Sequence, residues 1–79
     1  MLTEIGHTAG KIWEALGQKG EISVDYLPRA VKAKSAVAYQ ALGWLAKEDK
    51  IQYKKKNGKN VVSLTPMEQN SYRMVTASQ

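Results

Sequence analysis

Between Thr3 and Lys19 the apolar residues Ile5, Ala9, Ile12, Trp13 and Leu16 recur every three or four positions, the spacing that gathers them on one stripe of a helix. Gly17 and Gly20 mark its end. Glu21 to Val24 reads as a short extended segment, after which Asp25 is placed to cap a second helix with Pro28 in its first turn, where the missing N–H is harmless. That helix can reach only about Val31 or Lys32, with Leu27 and Val31 inward, before Lys32-Ala33-Lys34 turns and Ser35 caps the next one. The third helix, about Ser35 to Glu48, turns Ala38, Ala41, Leu42 and Leu45 inward with Val37 on the flank. Its outward side carries Ala36, Gln40, Gly43 and Lys47, flanked by Tyr39 and Trp44.

The period then changes. Ile51-Gln52-Tyr53-Lys54 alternates apolar and polar, Asn57-Gly58 is a strong hairpin-turn signal, and Val61 to Leu64 reads as the returning strand. Thr65-Pro66-Met67-Glu68 has the form of a capping box with proline at the first helical position, which predicts a short fourth helix over about 66–74 and a frayed Thr76-Ala77-Ser78-Gln79 tail. The pattern predicts an α+β fold, mostly α: a three-helix core, a short strand, a two-stranded hairpin over about 51–64 and a C-terminal helix. Seventy-nine residues allow a single domain over 1–79 with a thin core, because so short a chain buries only about 60% of its unfolded surface.

Charge adds a second pattern. The net charge is +5, and nine of the twelve Lys and Arg lie between Arg29 and Lys59 against Glu48 and Asp49 alone, leaving +7 there and −2 in the remainder. Such asymmetry points to a positive face for a polyanion, of which nucleic acid is the commonest, although a solvated lysine-rich surface gives the same count. Cysteine is absent, so neither disulfides nor a thiolate metal site supports the core, and a reducing cytoplasm is the expected location. The segment Met1 to Gly10 carries Glu4 and no apolar run, which is unlike a signal peptide or a membrane span and leads us to expect a soluble chain.

The order helix, short strand, helix, helix, hairpin, helix resembles the winged helix-turn-helix superfamily, and ALGWLAKEDKIQYKKKNGKNVVSLT looks like its recognition helix running into a wing. More narrowly, TEIGHTAGKIWEAL with ALGWLAKEDKI resembles a family of short bacterial winged helix proteins described as domains of unknown function. The superfamily resemblance implies a DNA-binding or transcription-regulatory role, with helix three in a major groove and the wing on backbone or minor groove. It points to Lys34, Ser35, Ala36, Tyr39, Gln40, Lys47 and the hairpin lysines as contacts. Function does not follow from fold alone, and winged helices also serve as protein-interaction modules, in which case Tyr39, Gly43 and Trp44 would be the centre.

Residue chemistry separates these readings only partly. Arg29, Lys32 and Lys34 surround the positive end of helix three, where cations gain nothing from the helix dipole, so a phosphate would reconcile them; an ordinary basic turn is the alternative. Lys54, Lys55, Lys56 and Lys59 crowd the hairpin tip, which suits phosphates but also protects an edge strand from aggregation. Base reading favours Arg, Lys, Asn or Gln, and helix three offers mainly Gln40, with Ala36 available to a thymine methyl. Gly6, Gly10 and Gly17 lie beside Trp13 on helix one at about 1 kcal/mol each relative to alanine, so a close neighbour is expected there. It is either a second subunit, giving a homodimer that also buries Met67, Tyr72 and Met74, or the chain's own fourth helix. His7 is the one histidine and reads as a surface residue; neither a phosphate loop nor a metal-ligand cluster is present, so no catalysis, cofactor or metal is expected.

Overall fold

Three left-handed backbone positions divide the helices. The computed structural model describes residues 2–77, with side chains over 3–75; Met1, Ser78 and Gln79 lie outside the described residues. Helix α1 (Leu2–Lys19) stops at Gly20, whose φ is +86° and whose N–H closes on the Leu16 carbonyl at 2.8 Å. Gly17 does not end the helix as its type suggested; it continues inside α1. Helix α2 (Leu27–Ala30) and helix α3 (Ser35–Lys47) end on Lys32 (φ +55°) and Asp49 (φ +57°) respectively. Each end makes the paired closure of a Schellman motif. Lys32 N–H reaches Arg29 O and Ala33 N–H reaches Pro28 O; Asp49 N–H reaches Ala46 O and Lys50 N–H reaches Leu45 O.

The helix starts differ from the pattern-based expectation. Tyr26, in helical backbone, occupies the cap of α2, so Asp25 lies one residue too early to cap it, and the helix is only four residues long. Lys34 (ψ 144°) is the cap of α3 and Ser35 is its first helical residue. No side chain among the described residues caps either N-terminus. Helix α4 (Pro66–Ala77) runs three residues beyond the expected end at Met74, and Thr76 and Ala77, expected to fray, belong to it. Its expected capping box is not closed: the Thr65 N–H donates to the Lys50 carbonyl at 3.1 Å, and Glu68 Oε1 instead accepts from Trp13 Nε1 at 2.9 Å.

Strands β1 (Glu21–Ser23), β2 (Ile51–Lys56) and β3 (Lys59–Leu64) form an antiparallel sheet in the order β1-β3-β2. Ile22 lies opposite Val62, and Val62 opposite Tyr53. Asn57 and Gly58 take φ of +54° and +79°, the two positive values that a tight hairpin turn requires, and close the ladder at Lys56 opposite Lys59. Alternation puts Ile22, Ile51, Val62 and Leu64 on the side facing the helices. There they meet Ile12 and Leu16 of α1, Leu27 and Val31 of and after α2, Leu42 and Leu45 of α3, and Tyr72 of α4. Thr8 is buried at the helix-one interface as well, where the apolar stripe alone did not place it.

Candidate nucleic-acid interface

The cationic residues of the middle segment all reach the surface, and their backbone anchors decide how they group. Arg29 stands on α2, Lys32 and Lys34 in the turn, and Ser35, Ala36, Tyr39, Gln40 and Lys47 along the exposed side of α3. Lys54, Lys55, Lys56 and Lys59 stand on the hairpin, each exposed. Helix α2 and the hairpin, distant in sequence, meet in space: Arg29 and Lys59 line one open cleft of about 280 Å³ with Ser23, Asp25 and Tyr26. The Val24 N–H, bonded to the Asn60 carbonyl at 3.0 Å, ties the β1 end of that cleft to the hairpin. Gln40 and Lys47 share a second concavity with Ile5, Gly43, Trp44 and Glu48.

The hairpin lysines do not form one cluster. Lys54, Lys56 and Lys59 emerge on the sheet side that carries Glu21 and Ser63, whereas Lys55 emerges with Tyr53 on the helix side. Lys56 Nζ donates to Glu21 Oε1 at 2.8 Å, an exposed ion pair. The hydrogen bond and charge of Lys56, with the charge of Lys54 behind them, hold the Glu21 carboxyl below the ordinary glutamate range, and Glu21 in turn raises the Lys56 ammonium. Mutual repulsion at the tip is thus partly neutralised. Partial burial pushes the Tyr53 hydroxyl above the ordinary tyrosine value.

Three contributors escaped the residue-type reading: Glu21, Tyr26 and Tyr53. Tyr26 is half exposed and lines the cleft three residues before Arg29, a spacing that places both on one side of a helical turn and could have signalled the pair. Glu21 is paired across three strands with a residue 35 positions away, and no local signal encodes that.

The glycine groove of α1 divides into two ends. At Gly17 the neighbour is the chain's own α4: an added Cβ would collide with the Tyr72 ring, and Gln69 Nε2 donates to the Gly17 carbonyl at 3.3 Å. Tyr72 is buried, its ring 5.2 Å edge-on from that of Trp13. At Gly6 and Gly10 an added Cβ would meet nothing within 4 Å, so the close neighbour expected there is not supplied by this chain. Met67 and Met74 lie on the surface. Among the described residues no group of His, Cys, Asp and Glu could hold a metal ion, and no helix is long and apolar enough to cross a membrane.

A helix-turn-helix pair completed by a helix-one strand and a β-hairpin defines this protein as a winged helix-turn-helix domain. The chain belongs to the family described as Winged helix-turn-helix domain (DUF2582), whose model matches residues 1–64. It is 39% identical over 66 residues to uncharacterized protein MJ1608 of Methanocaldococcus jannaschii, covering 81% of this chain and 94% of that one. It is similar to the solution structure of protein BT2368 from Bacteroides thetaiotaomicron, with a TM-score of 0.68, 34% identity and coverage of 80% and 77%. A ZitR variant from Lactococcus lactis in apo form superposes at a TM-score of 0.79 over 98% of this chain and 60% of its own, at 15% identity, and so shows the fold alone.

Proposed function

We propose that this chain binds duplex DNA, mainly through phosphates, and acts as a small DNA-binding regulator. The observation that carries the reading is the shared cleft of Arg29 and Lys59, which brings a cation of α2 and a cation of the hairpin wing to one place on the surface. Lys34 stands at an α3 N-terminus left without a side-chain cap, where backbone N–H groups and the helix dipole favour an anion. Backbone contacts would come from Arg29, Lys32, Lys34, Lys54, Lys55 and Lys59, with Lys56 less available because Glu21 holds it. Groove contacts would come from Ser35, Ala36, Tyr39, Gln40 and Lys47. A groove-facing set with a single amide, Gln40, supports weak sequence preference, with most of the affinity coming from phosphates.

The test is a titration of a fluorescent duplex at several salt concentrations. Each neutralised phosphate contributes about −0.9 to the slope of log affinity against log salt, so Lys55→Ala and Lys59→Ala should each flatten it by about one. Gln40→Ala should change the ranking of duplexes more than the slope. A folded wild-type protein that ignores duplex DNA at low salt overturns the proposal. Tyr39 and Trp44, each more than two-fifths exposed on α3, favour a protein-interaction surface in that outcome.

A further inference from the structure

A third concave site adjoins the one that holds Gln40 and Lys47, with Trp44 and Glu48 common to both. It is an open, largely apolar cleft of about 390 Å³ between α1, the end of α3 and the start of α4, at the small end of the range that ligand pockets occupy. Trp13 and Trp44 form two walls, and Gly6 and Gly10 lie along α1 between them. Trp13 is fixed on two sides, its Nε1 donating to Glu68 at 2.9 Å and its ring packed edge-on against Tyr72. Trp44 keeps 42% of its surface exposed, and Gly6 and Gly10 occupy helical positions where a Cβ would meet nothing within 4 Å. Both choices are unfavourable for the isolated chain, since a helix interior prefers alanine and an indole prefers burial. Both leave the same space open.

The rim supplies the sign of charge. Glu48 and Glu68 line the cleft against one cation, Lys50, so this patch is net negative in a chain whose overall charge is +5. Indole faces attract cations, and carboxylates at the edge of an aromatic site add to that attraction. We infer that the cleft binds a small flat organic cation, one or two rings bearing a quaternary or protonated nitrogen, held between Trp13 and Trp44 with its charge toward Glu48 and Glu68. Trp44 is also a wall of the concavity that holds Gln40 and Lys47, so a ligand against its indole would be sensed on the exposed side of α3. Cation binding here does not require that the chain bind nucleic acid, although Trp44 and Glu48 line both concavities.

Both tryptophans of the chain line this cleft, so their indole N–H signals in a two-dimensional NMR spectrum report on it directly. Benzyltrimethylammonium is the probe, with benzyl alcohol and benzoate in parallel. The expected result is a saturable shift of both indole signals with the cation, about fivefold weaker in Glu48→Gln, as for a solvent-accessible ion pair. Gly10→Leu, which fills the cleft, should abolish the shift while the remaining amide signals stay dispersed; Gly6→Leu serves the same purpose if that variant does not fold. No saturation by the cation, or equal binding of benzyl alcohol, overturns the inference. So does a wild-type dimer in sedimentation that Gly10→Leu or Gly6→Leu converts to monomer, because a second copy of the chain would then fill the cleft.

Discussion

The Lys56–Glu21 pair is a local contact with a measurable signature. Glu21 titrates below the ordinary glutamate value because Lys56 donates to its carboxylate and sits beside it. A lowered carboxyl contributes stability above the unfolded-state value and loses it as pH falls through the folded value, so its acid window lies under about pH 4.5. Lys56 is raised above 10.5, so its contribution is complete below that value and disappears as pH rises through the higher folded one. Both side chains reach solvent, so the contribution to stability is small and the titration midpoint is the more direct readout of the pair. Following the Glu21 side-chain carboxyl by carbon NMR should give a midpoint below the ordinary glutamate value, and Lys56→Met should return it to the ordinary range. An unchanged midpoint in that variant would mean that the pair does not persist in solution.

At the scale of elements, the turn between α2 and α3 contains a lysine where glycine is the cheaper residue. Lys32 holds φ +55° to close the Schellman motif, and a non-glycine residue in left-handed backbone costs about 1 kcal/mol or somewhat more. Lys32→Gly should therefore raise stability by up to about 1 kcal/mol in denaturant unfolding while weakening duplex binding and flattening its salt dependence. A variant that gains stability and binds equally well would show that the turn bears the lysine for neither purpose. The same motif explains which element boundaries were legible in the sequence. Gly20 and Asn57-Gly58 announced their positive φ by residue type, and both stops were readable. Lys32 and Asp49 did not, because the hydrogen bonds that close α2 and α3 come from backbone groups that every residue carries. Ser35 and Asp25 had the chemistry of caps, but the chain enters each helix one or more residues away from them. The short length of α2 leaves no apolar period from which its start could be timed.

Across the whole molecule, the apolar stripes of the long helices, the hairpin and the breaker residues between them were sufficient to order every element. The site was legible as a list of cations and not as a surface. That Arg29 meets Lys59, or that Lys55 parts from Lys54 and Lys56, depends on strand register and on the docking of β1 against β3. The glycine groove was likewise half legible: its spacing was visible, whereas Tyr72 claiming the Gly17 end and leaving the Gly6 end open depends on the angle at which α4 returns.

That return has a kinetic meaning. The family match ends at residue 64, yet Tyr72 lies beyond it and is buried with Ile12 and Leu16 in the same core. We therefore expect the unit that opens cooperatively in this chain to be larger than the stretch that the family model matches. Amides near Gly17 should exchange with deuterium only when α4 lifts, so their protection should track that of α4 residues and not that of the first turns of α1. Tyr72→Ala, which removes a ring from the core, should lower global stability by about 3–5 kcal/mol and collapse both sets of protection factors together. If the C-terminal half of α1 kept its protection while α4 exchanged freely, the last helix would be a detachable latch and the domain proper would close at Leu64.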